Sequence, residues 1–313
     1  MSSSQSKRES AITLHDRILD MSYEEHDGHN IHKMIQFLAG GLVEYALIFD
    51  NSEQTLESLI DRLALNVSEP YDGALPDWLM APSYLVDLNT EKGRRLMRRS
   101  LDDFPACEFE FASMLVDLVH HFLMRWHEDG IPCEESFRLL IDYAYYAMAF
   151  EVAAQQLCDT VIEKHIGARC WSLGDAISGL SGTAGRQLAR ASGENAQSDI
   201  DAALDMIMPV MTQESVRMGL PAGSDWRFGL AANDHPADAP GYLVDAVEPY
   251  CNALFRALAL NSVEERATAC AKAAGRMLAV AAGGEEPEIA PVIAKPLALA
   301  AMTETFKSAV AQG

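Results

Sequence analysis

The chain has 313 residues, 49% of them hydrophobic and 22% charged, which gives enough apolar material for one large domain or two ordinary ones and excludes a disordered chain. Its formal net charge of −22 is uneven, with 26 acidic against 12 basic residues up to position 150 and 20 against 12 beyond it. An excess of that sign repels phosphates at long range and opposes general nucleic-acid binding, and fits a cytoplasmic protein, a basic partner or a cation-binding surface. Six cysteines, at positions 107, 133, 158, 170, 251 and 270, include no C-x-x-C pair, so neither a zinc knuckle nor a redox motif is expected. Several sit in apolar helical patterns, as buried cysteines do in a reducing compartment. The polar start MSSSQSKRES lacks an apolar run behind it, and the longest apolar stretches are broken well short of ~20 residues, so neither a secretory signal nor a membrane span is expected.

In chain order, Ile12, Leu14, Ile18, Leu19 and Met21 recur at helical spacing behind Ser10, a possible cap. The segment EEHDGHNIHKM (24–34) then sets His26, His29 and His32 three residues apart. On a helix that spacing spreads His26 and His32 by about 120°, so the three do not readily share an ion. His29 and His32 can share a face. Neither H-E-x-x-H nor H-x-x-E-H is present, and the plainer reading is polar residues around a helix start. NIHKMIQFLAGGLVEYALIF reads as a long helix whose Gly40–Gly41 pair implies close packing or a kink. Leu56, Leu59, Ile60 and Leu63 make the apolar stripe of the next helix. Residues 68–89, with three prolines, read as an irregular packed connection.

A short helix beginning near Thr90 carries Lys92, Arg94, Arg95, Arg98 and Arg99. Like charges four apart cost a few tenths of a kcal/mol per pair unless neutralised, so these arginines are expected either in ion pairs with the acidic chain or as an anion- or partner-binding patch. The two strongest helices follow, 107–129 and one from Pro132 to Gly167, turned at Gly130 into a helical hairpin. Ten aromatics between 101 and 150 mark the core of this half, with more apolar area than two helices can hide, so neighbouring helices or a second subunit must cover it. On the first of these helices Glu110, Asp117 and His121 fall near one face, while His120 lies on another. Asp117 and His121 suit an acid–base or ligand-orienting pair, with His120 a candidate metal ligand. A second Glu-x-x-His copy, which a di-iron bundle needs, is missing.

Beyond residue 167, Gly179, Gly182 and Gly185 stand in a small, polar stretch without a preceding strand or a following Lys-Ser/Thr. That meets neither phosphate-loop nor dinucleotide patterns and reads as a flexible helix–helix connection. A helix through Pro209 follows, then a loop or linker at 219–241, then alanine-rich helices to the end. No alternating strand pattern and no fixed repeat emerges.

The expected architecture is all-α, a multi-helix bundle of about a dozen helices, with residues 1–190 forming a bundle around the aromatic hairpin and 191–313 an alanine-rich helical region. No complete catalytic or cofactor motif is present and no cofactor is assigned. The leading expectation is a non-enzymatic protein acting through protein–protein contacts, as an adaptor, assembly or regulatory subunit, with a protein partner or a homo-oligomer. The alternative is a metal- or acid–base-dependent helical enzyme using Asp117, His121 and Glu110 with His120, His29 and His32. It requires the two histidine groups to converge.

Overall fold

The computed structural model describes residues 13–21, 23–24, 28–49, 53–64, 92–99, 108–192, 200–221, 241–284 and 286–312. Eleven α-helices appear among them: α1 (13–21), α2 (Ile31–Phe49), α3 (Glu53–Ala64), α4 (92–99), α5 (Glu108–Glu128), α6 (Cys133–Val161), α7 (Leu173–Ser192), α8 (Ile200–Arg217), α9 (Gly241–Ala257), α10 (Val263–Ala282) and α11 (Pro291–Gln312). The protein is all-α. Its extended pairing among the described residues is a two-residue antiparallel ladder, Tyr23–Glu24 with Gly28–His29. No described helix is long and apolar enough to cross a membrane. Ser10, His26, Thr90, Cys107, the whole 68–89 connection and residues 222–240 of the expected linker lie outside the described residues. Internal contacts divide the chain into two compact units, Met1–Met148 and Ala149–Gly313.

The starts of three helices are written in the sequence as side-chain caps. Asn30 Oδ1 accepts from Lys33 N–H at 3.0 Å ahead of α2. Ser172 and Asp175 cap each other's backbone ahead of α7. Ser262 and Glu265 form a full capping box on α10. Each satisfies backbone donors that the first turn leaves open. Between α5 and α6, Gly130 adopts φ +84°. There Ile131 N–H donates to Trp126 O and Gly130 N–H to His127 O, the helix-ending pattern that favours glycine.

In the first unit, α2 is buried on all sides from Met34 to Ala46. The Gly40–Gly41 expectation resolves as close packing at Gly41, where an added Cβ would lie 2.6 Å from Met97 Cε. Helix α4 comes closer still, because a Cβ on Gly93 would stand 2.0 Å from the Phe37 carbonyl oxygen. Around α2, helix α5 supplies a stripe of Phe111, Leu115, Leu118, Phe122 and Trp126, all buried. Phe111 stacks on Tyr45, and Phe122 meets Trp126 with ring centroids 5.6 Å apart.

The second unit is built around α7, which packs against α9, α10 and α11, while α10 also packs against α8. The stretch expected as a flexible connection is therefore a buried helix. Its glycines are close-approach points. A Cβ at Gly185 would stand 2.1 Å from Met302 O on α11, and one at Gly182 would stand 2.7 Å from Val244 Cγ2 on α9. Glycine costs about 1 kcal/mol in a helix interior, and backbone-level packing on several sides offsets it. Alanine does the same for α10, buried almost throughout from Ala267 to Ala282, with Gly275 against Met211 O of α8.

Contrasting alanine substitutions test this reading. Gly185→Ala forces a methyl into a backbone contact and is expected to lower stability by about 1–3 kcal/mol or more. Gly241→Ala, where a Cβ meets nothing within 4 Å, is expected to change it by less than about 0.5 kcal/mol. Denaturant melts followed by helical circular dichroism measure both.

Candidate functional site

Among the described residues of the first unit, one carboxylate is buried, that of Glu44. Glu44, 1% exposed, interrupts the apolar run GLVEYALIF of α2. Arg94 Nε donates to Glu44 Oε2 at 3.0 Å, and Arg98 Nε donates to Oε1 at 2.6 Å. Arg94 is itself 2% exposed. The close approach at Gly93 lets both guanidiniums reach across. The four-residue spacing of Arg94 and Arg98 puts them on one face of α4, where one carboxylate accepts from both. Lys92, Arg95 and Arg99 are exposed. The basic helix thus divides into an ion-paired face, with Arg94 buried and Arg98 half-buried, and a solvent face.

The histidine candidates are distributed over several places. His121 is exposed on α5 and faces His15 of α1, ring centroids 5.2 Å apart, while His15 stacks on Phe122 at 4.9 Å. Burial, then the neighbouring His15, hold the His121 imidazole below its usual value. Both effects favour the neutral imidazole, which can accept a hydrogen bond. Asp117 is exposed and His120 half-buried on the same helix. His32, in the first turn of α2, meets the Tyr143 hydroxyl through Nε2. Burial pushes that phenol up to about 12, Gln36 lowers it by hydrogen bonding and Asp142 raises it. The side chains of Glu110 and His29 lie outside the described residues. Among the described residues, no three His, Cys, Asp or Glu side chains are gathered to hold a metal ion. The contact that sequence reasoning missed is His15, because its pairing with His121 spans more than 100 residues and leaves no local pattern.

The second unit contains a larger buried ionic network. Glu151 on α6 and Glu214 on α8 are each 1% exposed, facing Lys272 and Arg276 of α10 and Arg217 of α8. Lys272 Nζ reaches Glu151 Oε1 at 2.9 Å, Arg276 Nε reaches Glu214 Oε1 at 2.6 Å and Arg217 Nε reaches Glu214 Oε2 at 2.9 Å. Arg276 also donates to Glu151 Oε2 and to the Gln155 amide oxygen. Gln155 in turn donates to Asp159 at the surface. Burial and the adjacent Glu151 push the Glu214 carboxyl up, but Arg217 and Arg276 pull harder, leaving it below its ordinary value. Burial raises the neighbouring Cys158 thiol to about 12, which keeps it protonated and inert. Three cations on two carboxylates, with each carboxylate oxygen satisfied, make a lock between α6, α8 and α10. The sequence signal was present: single charges inside apolar runs, Glu151 in AMAFEVAA and Lys272 with Arg276 in ACAKAAGRML.

The network sets two expectations. Glu151→Ala strands buried cations and should lower the stability of the second unit by about 3–5 kcal/mol. Glu214 contributes stability that is fully present above its ordinary value of 4.5 and is lost as pH falls through its lower folded value. Thermal melts between pH 6 and 3 should show this decline in the wild type and a shallower one in Glu214→Gln.

Compared with protein-family models, with curated proteins and with solved structures, the chain matches none.

Proposed function

We propose that this all-helical chain works as a non-enzymatic interaction protein, an adaptor, assembly factor or regulatory subunit, that docks an acidic partner on the solvent face of α4. The observation that supports this reading is the division of the basic helix. At about 100° per residue, Lys92, Arg95 and Arg99 fall within an arc of about 60°, while Arg94 and Arg98 lie on the far side. The inner pair is occupied with Glu44. The outer three are exposed on a chain of net charge −22. Basic residues on an otherwise acidic protein orient an approaching acidic surface and raise its association rate, an effect that salt screens. In this reading the histidines and Asp117 are surface and helix-boundary groups.

The division also decides how the test is built. Removing Arg94 or Arg98 leaves Glu44 buried with less charge to meet it, so a loss of binding would be confounded with a loss of folding. A Lys92→Glu, Arg95→Glu, Arg99→Glu variant leaves that pair intact. The expected outcome is at least a tenfold loss of affinity for partners recovered with the wild type, with wild-type binding weakening between 50 and 300 mM salt and helical content unchanged. Equal, salt-insensitive binding by the variant would refute the proposal. The alternative, an enzyme built on Asp117, His121 and Glu110 with metal at His120, His29 and His32, predicts stoichiometric zinc, iron or manganese in untagged protein and its loss in His121→Ala. Elemental analysis of both proteins decides between the readings.

A further inference from the structure

Helices α9 and α10 bring two cysteines into contact. Cys251 Sγ lies 3.8 Å from Cys270 Sγ, and both residues are 0% exposed. The pair is 19 residues apart on different helices, so the contact is tertiary. A disulfide needs the sulfurs at about 2.05 Å, a closure of about 2 Å that side-chain rotation and a small helix shift can supply.

The two helices differ in how firmly they are held. Helix α10 is buried nearly all round. Helix α9 buries one stripe, Leu243, Val244, Val247, Cys251 and Phe255, and exposes Asp245, Pro249 and Arg256. Pro249, two residues before Cys251, has no N–H to give to the Asp245 carbonyl, so the helix lacks a backbone hydrogen bond there. The links from α9 to α7 that lie toward solvent are ion pairs, Arg186 with Asp245 and Glu248, and Arg190 with Glu248. Such pairs contribute little and weaken with salt. Local opening therefore falls to α9, and it exposes Cys251 first.

We infer that Cys251 and Cys270 form a redox-sensitive clasp: oxidation by a hydroperoxide closes a disulfide that pins α9 to α10, and a dithiol reductant releases it. With hydrogen peroxide, the Cys251 thiolate attacks one peroxide oxygen, the O–O bond breaks, and a sulfenic acid forms as hydroxide leaves. The Cys270 thiolate then attacks Cys251 Sγ, the S–O bond breaks and a second hydroxide leaves. The two thiol protons convert both hydroxides to water. The sulfurs together lose two electrons and the peroxide gains them. Contact with Cys251 and burial hold the Cys270 thiol well above its usual range, so the pair is inert while α9 is docked. The gate is the opening of α9, and the closed bond shifts that equilibrium toward the docked state.

The test uses the full-length reduced protein under native conditions. It is treated with hydrogen peroxide, blocked with a maleimide and digested with trypsin without reduction. The expected product is peptide 228–256 joined to peptide 267–272, two hydrogens lighter than the separate peptides. It should form equally in a Cys170→Ser background, which removes the one exposed thiol among the described residues. The oxidised protein should melt several degrees higher, with the shift reversed by dithiothreitol and absent in Cys251→Ser and Cys270→Ser. The wild-type peptide map stands even if those variants do not fold. Both thiols remaining free to alkylation after Cys170 is oxidised, or the link forming only in urea-unfolded protein, would overturn the inference.

Discussion

A carboxylate withdrawn from water must be met by positive charge and hydrogen bonds, and both units of this chain are arranged around that requirement. In the first, Glu44 takes two arginines from one helix. In the second, Glu151 and Glu214 share Lys272, Arg276 and Arg217. Desolvating such groups costs several kcal/mol each, and the mutual attraction offsets this only with satisfied geometry. The geometry then dictates helix placement. Arg94 and Arg98 fix the rotation of α4 on α2, and the network of the second unit fixes α6, α8 and α10 in register. Apolar packing alone is non-directional and would tolerate sliding that the ion pairs do not.

Those contacts depend on small residues. The Gly93 contact brings the α4 backbone against Phe37 O, and the Gly275 contact brings α10 against Met211 O. Interhelical distance decides whether a side chain of fixed length meets its partner. At Gly93 and Gly275 the glycine neighbours the charged residue that does the reaching. The same economy runs through α7, where glycine, alanine and serine let three helices pack against one. Large aromatics do the opposite work in the first unit, filling wide spaces around α2 and α5.

The functional reading follows from what this interior leaves outside. Charges spent on buried partners are unavailable for recognition, so the basic helix presents three of its five cations to solvent. On the histidine side, the rings meet aromatic and histidine neighbours: His15 with Phe122 and His121, His32 with Tyr143, and His165 stacked on Trp171 at 4.0 Å. Such contacts order an imidazole, and among the described residues no ligand set gathers around one. Helix α9 differs between its two sides, with a packed stripe that includes Cys251 on one and the exposed internal Pro249 on the other.

Much of the fold was legible in the residues. Helical periodicity and the Gly130 break are local features, and local features survive in a one-dimensional string because they involve neighbours within about one turn; the Asn30, Ser172 and Ser262 caps are as local, yet the sequence reading did not single them out. The periodicity and the break determined the all-α class, most helix positions and the aromatic core. Composition misled around Gly179, Gly182 and Gly185, where glycine and serine read as a connection because local propensity favours a break. Burial reversed that reading, since Gly185 fits against the Met302 backbone and Gly182 against the Val244 and Thr305 side chains. The pairing of Arg94 and Arg98 with Glu44, of Glu151 with Arg276, of His15 with His121 and of Cys251 with Cys270 belonged to tertiary structure alone. The chain shows that a charge or thiol lies in an apolar run and must find a partner; which partner depends on distances between helices, set by packing that no local spacing encodes.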